Sequence, residues 1–518
     1  MSSDSSDSAV RPGYIVWLML LLGALTLAPL LTTLTPPLLD YPNHLARCYI
    51  LAHLPTSPTL RLYYRNVMMA QPNLALDLII PPMERVVSIW RAGQIFLAFT
   101  LLALVGGSIA LHRAWSGHWS SWPALAWLLG YNRLFYFGFL GYLFGLGAAL
   151  GACALWISLS NRPSLLRFAS GLACASLIYL LHLYALGIYG VLVGGFELDD
   201  WLTHPRPPAA RLARLAALAG QFLPAAFLFL WVSPTAGAVH RFAWGGFVHQ
   251  LTEPLHMLDG VTPTLDRLTL AGLVTLVLLL LATGRATLAA PARIPLLLLG
   301  LLLLIMPNEL FSSFGANRRI PIALACTVLA ATDWHRISER LRRRILLGLC
   351  ALIALRTGAT ILRWREDALI YRPYLTAFRA LPTGATLLAA VPATPADTTP
   401  PLYHVDAYAV ILRQVFLPSL FAAPDDAGSS VAFTPHFQAL HRRTPPVVIW
   451  PPTLAALRQP DFAARHGPFR PALRHAYSDA LVIDPSVLPR IAQAPARCTL
   501  IASGPDFRLL ALPCNGFR

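Results

Sequence analysis

Apolar runs of membrane-crossing length recur along the first two-thirds of this chain, and nothing else in the sequence limits its fold as strongly. The first of them, Tyr14 to Leu34, continues for 21 residues without a charge, close to the roughly 20 that cross a bilayer core as a helix. In lipid the backbone must satisfy its own hydrogen bonds, so such a run is read as a helix and not as open strand or coil. Ten more runs follow: Ile95–Leu111, Trp122–Phe137, Phe139–Leu159, Leu165–Leu181, Leu183–Leu198, Leu215–Ser233, Leu268–Thr283, Ile294–Met306, Ile320–Thr332 and Ile345–Leu362. The expectation is an α-helical polytopic membrane protein of about 11 transmembrane helices. Only 12% of the 518 residues are charged, against about 25% in a typical soluble domain.

The break between Leu181 and Leu183 is inferred from charge. Arg162 and Arg167 precede this stretch and Arg206, Arg211 and Arg214 follow it. Cytoplasmic loops collect basic residues, so both ends belong on one side and two helices must meet near His182. With a cytoplasmic N-terminus, the short inner segments hold 14 arginines, from Arg11 to the run ending at Arg344, and the short outer turns hold only Arg133, Arg318 and Arg319. An odd number of spans then places everything after Leu362 outside.

Three regions are expected on this reading. Residues 1–13 form a disordered cytoplasmic tail, residues 14–362 a transmembrane domain whose first outer loop is 35–94, and residues 363–518 a C-terminal periplasmic domain. The last region has no long apolar run, is rich in proline, and contains the strand-like segments Thr386–Val391, Val447–Trp450 and Ala480–Ile483. It reads as a small mixed α/β domain. Cys498 to Cys514 reads as a hairpin turning at Pro505-Asp506. A disulfide between these cysteines and a pair of free thiols are both open.

All 40 basic residues are arginine, which excludes Schiff-base chemistry and a P-loop lysine. The net charge of +16 is spread between apolar runs instead of forming one basic face, so no nucleic-acid partner is expected. The seven cysteines form no CxxC pair and no zinc-type spacing with histidine, and no resident metal is assigned.

Chemistry concentrates just after the first span, in Asp40-Tyr41-Pro42-Asn43-His44-Leu45-Ala46-Arg47. Pro42 can open a helix, which puts Asn43 and Arg47 one turn apart on one face. A carboxylate fixed at a water–lipid boundary can take a proton from an acceptor hydroxyl, provided partial burial lifts its pKa. The alternative role for Asp40 is a helix cap, worth about 1 kcal/mol. Asp77, further along the same loop, is a candidate partner for Asp40 or a salt-bridge partner for a loop arginine. At the outer turns Asn132 and Arg133, and Asn317, Arg318 and Arg319, offer hydrogen-bond donors and guanidinium forks that match phosphate oxygens. The competing role for such arginines is snorkelling to lipid headgroups. His182 could bond a sugar or phosphate, or serve as a structural hydrogen-bonder. Arg356 stands within the last span, where an arginine is functional or paired with an acid.

An acid in the first outer loop, about eleven spans and an outer C-terminal domain together resemble the GT-C superfamily of membrane glycosyltransferases. The resemblance covers most of the chain in layout and rests at residue level on the Asp40–Arg47 string. It implies a polyprenyl-phosphate-linked sugar donor, a glycan, lipid or protein acceptor, and an enzyme of a bacterial inner membrane with Asp40 as its base. Asn43, His44, Arg47, Asp77, Asn132, Arg133, His182, Asn317, Arg318 and Arg319 are the binding candidates. Several such families carry two adjacent acids, whereas Tyr41 follows Asp40 here, and a divalent cation is left open. A transporter or flippase of a lipid-linked or small polar substrate, and a non-catalytic scaffold of the same layout, are the other readings.

Overall fold

The computed structural model describes residues 12–162, 164–237, 242–310, 313–334, 337–392, 402–422, 428–444, 448–450, 476–483 and 499–511. Residues 1–11 of the expected N-terminal tail, His240, Arg241, Arg336 and the Cys498/Cys514 pair lie outside these residues, and Pro12 and Gly13 begin the first helix instead of ending a tail. The chain is a multi-pass, mostly helical membrane protein. It divides into two compact units, one of Met1–Thr32, Ala70–Ala75 and Leu97–Leu362, the other of Thr33–Met69, Leu76–Phe96 and Arg363–Arg518.

Seven helices among the described residues are long and apolar enough to cross a bilayer: Gly13–Leu31, Ile89–Ser116, Leu140–Ser158, Ser164–Leu181, Pro208–Val232, Pro263–Ala282 and Glu339–Arg379. Ala290–Ile305 and Arg319–Ala331 are apolar but shorter. Leu183–Thr203 has 21 residues but carries Glu197, Asp199 and Asp200 near its end. One of the apolar runs is not a single helix. Trp122–Leu129 is a fully buried 3-10 segment with Pro123 in its first turn, and Arg133–Phe137 is a separate short helix capped by Asn132. Burial in protein explains the apolar composition of this stretch without a crossing.

In the first unit the helices approach closely where side chains vanish. A Cβ on Gly107 would fall 2.3 Å from the Gly147 carbonyl oxygen, and one on Gly147 would fall 2.3 Å from the Ala103 backbone carbon. Ile89–Ser116 and Leu140–Ser158 therefore meet backbone to backbone, as small residues permit in membranes. The break at His182 is present: Ser164–Leu181 ends there, the His182 backbone is extended, and its Nδ1 accepts the Tyr184 N–H at 3.2 Å as the cap of Leu183–Thr203. Arg214 bonds Glu197 (Nε to Oε2, 2.8 Å), and Arg167 donates to the same carboxylate, so these basic residues also tie neighbouring helices together.

In the second unit, a five-stranded mixed sheet runs in the order Thr499–Ser503, Phe507–Ala511, Asp479–Ile483, Leu387–Pro392, Val448–Trp450. Leu387–Pro392 pairs parallel with both its neighbours, and the other pairings are antiparallel. These strands fall on the strand-like segments of the sequence, and the hairpin turns at Pro505-Asp506. A second pairing joins Tyr64–Asn66 to Val431–Phe433, with Tyr64 opposite Phe433. Residues after the first span thus fold together with residues after 363. Tyr63, Tyr64, Phe416, Phe433 and Phe437 are buried there as an aromatic core, with Phe416 and Phe437 centroids 4.7 Å apart, a favourable separation for aromatic rings.

Candidate active site

In the second unit, Tyr41–His53 is the helix that Pro42 opens, with Asp40 at its N-cap position. Asp40 makes no capping hydrogen bond to it, so capping does not account for the carboxylate. The side chain is 20% exposed. The start of this helix is seated against Gly93, where a Cβ would fall 2.1 Å from the Tyr41 hydroxyl.

Asn43, on the first turn, is completely buried. Its Oδ1 accepts the Phe421 N–H at 2.8 Å, and its Nδ2 donates to the Ser419 carbonyl at 2.9 Å. The same Nδ2 lies 3.2 Å from His404 Nδ1. On the other side of that imidazole, Nε2 lies 3.6 Å from Asp40 Oδ1. Burial pushes the His404 pKa down to about 3, so the ring is neutral near pH 7. Ser419 also donates its hydroxyl to Asp406 Oδ2 at 2.7 Å, and burial pushes this carboxyl up to about 6.

His44 is partly buried, edge-on to Phe421, with centroids 5.4 Å apart. Its pKa is lowered by burial first and then by the charge of Arg47. Arg47 pairs with Asp77 (Nε to Oδ1, 2.9 Å), and Ser430 donates to the other Asp77 oxygen at 2.6 Å. Asp77 is therefore held by a loop arginine and a hydroxyl in this unit.

In the first unit the arginines expected at separate turns converge. Arg133 Nη1 lies 3.4 Å from Glu253 Oε2, and Arg318 Nε lies 3.5 Å from Glu253 Oε1. Both guanidinium groups lie over the Phe137 ring, at 5.4 and 5.3 Å. His249 Nε2 reaches the same carboxylate at 3.4 Å. Glu253 is thus shared by three basic side chains, and its neighbour His256 pairs instead with Asp259 at 2.8 Å.

Arg319, 5% exposed, donates to the Phe314 carbonyl at 2.9 Å and to Ser313 Oγ at 3.2 Å. It lies over the rings of Tyr184 (4.5 Å) and Phe139 (4.6 Å), attractive positions for a cation. With Tyr142, Tyr184, Phe222, Phe229 and Leu302 it lines an apolar cavity of about 520 Å³. Asn317 donates to Gln250 Oε1 at 3.1 Å. Asn132 spends its side chain locally, accepting from Phe135 N at 3.1 Å and donating to the Leu129 carbonyl at 2.8 Å. Arg356 is held by Asp266 (3.0 Å) and by the carbonyls of Leu128 and Tyr131. That acid and those carbonyls satisfy it within the protein.

Two crystal structures of ArnT from Cupriavidus metallidurans align with this chain almost end to end. The form bound to undecaprenyl phosphate shows 12% identity, covers 97% of this chain and 98% of its own, and has a TM-score of 0.50. The apo form shows 12% identity, covers 96% and 98%, and has a TM-score of 0.53. The chain has the fold of ArnT. At this identity the likeness is one of fold. No family model and no curated protein matches the sequence.

The sequence reading did not single out His404, Asp406, Ser419 or Ser430. The signal available was Tyr403-His404-Val405-Asp406, which puts an imidazole and a carboxylate two residues apart.

Proposed function

We propose that this protein transfers a sugar from a polyprenyl-phosphate carrier to an acceptor hydroxyl on the outer face of a bacterial inner membrane. Asp40 takes the acceptor's proton, the acceptor oxygen bonds to the anomeric carbon, and the bond from that carbon to the carrier phosphate breaks with its electron pair going to the phosphate. No cofactor is required by this scheme.

The observation that carries the reading is the state of Asp40. It stands at a helix start without capping it, keeps partial access to solvent, and faces a neutral imidazole. A general base needs that combination of accessibility and fixed orientation.

The first unit supports the carrier half of the reading. Arg133 and Arg318 share one carboxylate, and paired guanidinium groups suit phosphate oxygens. The cavity beside Arg319 is apolar, as an isoprenoid chain requires. ArnT, whose fold the chain shares, has been crystallised with undecaprenyl phosphate.

The test is release of undecaprenyl phosphate from undecaprenyl-phosphate-linked sugars in native membranes that carry the protein or its Asp40→Asn variant. Release that depends on an intact Asp40 supports the reading. Equal release by both proteins rejects it.

A further inference from the structure

The hydrogen bonds around Asn43 settle which nitrogen of His404 carries the proton. A backbone N–H (Phe421) must meet the amide oxygen of Asn43, and a backbone carbonyl (Ser419) must meet its NH₂ group. The amide cannot be flipped without losing both bonds. Its second N–H therefore points at His404 Nδ1, which has to accept. A neutral imidazole that accepts at Nδ1 carries its hydrogen on Nε2, the atom that faces Asp40.

We infer that His404 is the positioning residue of Asp40: locked by Asn43 in its Nε2–H form, it presents a neutral donor to the carboxylate and orients it. This rests on Asp40 being the base. The 3.6 Å separation is longer than a hydrogen bond, and closing it takes about 0.5 Å, a change common when a site fills with substrate.

A neutral donor suits the role better than a cation. It favours the ionised carboxylate by hydrogen bonding yet has no spare proton to surrender to it. The ring is fixed from several sides: Phe421 and Tyr403 centroids lie 5.0 and 4.6 Å away. Among the described residues, the titratable groups near the pair include Tyr403, whose pKa is raised by burial and then by Asp40 and Asp406; Asp406 itself, two residues from His404 and bonded by the Ser419 hydroxyl; and His44, which faces His404.

Two measurements on the purified full-length protein in nanodiscs test this without an activity assay. In ¹⁵N-histidine spectra, with the His404 signals assigned by their loss in His404→Gln, Nε2 is expected to carry the proton at pH 7. Protonation at Nδ1 overturns the proposal. In ¹³C-aspartate spectra, the Asp40 titration midpoint, assigned through Asp40→Asn, is expected to rise by about one pH unit in His404→Leu and to return in His404→Gln, which keeps an N–H donor. An unmoved midpoint in His404→Leu overturns it. If His404→Leu does not fold, the wild-type tautomer decides. Full sugar release by Asp40→Asn sinks the catalytic reading and with it the positioning role, leaving only a structural donor beside Asp40, whereas a wrong tautomer sinks the His404 proposal alone.

Discussion

Asn43 and His404 are 361 positions apart in the chain, and a buried hydrogen bond of 3.2 Å joins them. Through it the first turn of the Tyr41–His53 helix is tied to the segment that also presents Ser419 and Phe421. The amide satisfies three partners at once and leaves none of its own polar atoms idle.

Replacing Asn43 tests that tie. Asn43→Ala leaves the Phe421 N–H, the Ser419 carbonyl and His404 Nδ1 without their partner, and each lost buried bond costs about 1–3 kcal/mol. The expected outcome is a clear drop in unfolding temperature in nanodiscs. Asn43→Asp has the same shape, but it sets an oxygen against the Ser419 carbonyl and His404 Nδ1, so it is destabilising as well.

The Arg47–Asp77 pair, with side chains 4% and 0% exposed, behaves as a buried ion pair. Removing either partner alone is expected to cost about 3–5 kcal/mol, because it strands the other charge. Arg47→Met with Asp77→Leu costs less than the sum of the single changes. Denaturant unfolding of the four proteins in a double-mutant cycle measures the difference. Additive losses contradict the pairing.

Asp406 gives the stability a pH dependence of known sign. Burial raises its pKa from 3.8 to about 6, so the fold prefers the protonated carboxyl. Its contribution is complete below about pH 4 and is lost as pH rises through 6. Relative to wild type, Asp406→Asn gains stability between pH 4 and 6, by up to about 3 kcal/mol, and the gain levels off above. Unfolding series of both proteins from pH 4 to 7.5 check this. A gain that grows toward acid has the wrong sign.

Much of this architecture could be read from local pattern. Charge at both ends predicted the break at His182, and short β-rich runs between prolines predicted the strands at 387, 448 and 479. The Trp122–Phe137 run could not be resolved this way, since a segment buried in protein and one crossing lipid are equally apolar. Long-range partners were out of reach for a different reason. Glu309 stands in the same turn as Arg318, yet Glu253 is the acid that Arg318 shares with Arg133. Asp266, 90 positions from Arg356, meets it in the fold. Hydrophobic period records which face is buried, not which distant polar group it meets, and for that reason His404 drew no notice in the sequence.

Shared use of Glu253 leads to opposite expectations for acid and bases. Arg133→Ala and Arg318→Ala are each expected to weaken undecaprenyl phosphate binding about 10-fold or more, the value of a charge-assisted bond. Glu253→Gln removes a carboxylate that competes with phosphate for both guanidinium groups and is expected to tighten binding. Titration of the lipid into labelled protein in nanodiscs gives the three constants. Unchanged affinity in both arginine variants would remove these residues from the carrier site.

The account as a whole stands on the carboxylate of Asp40, and one comparison reaches it most directly. Undecaprenyl phosphate released from its sugar-linked form is measured in native membranes bearing equal amounts of wild-type and Asp40→Asn protein. Loss of a general base slows transfer about 10²–10⁴-fold, and a fall of that size, with the variant's unfolding temperature retained, is the predicted result. Release at the wild-type rate would contradict the account.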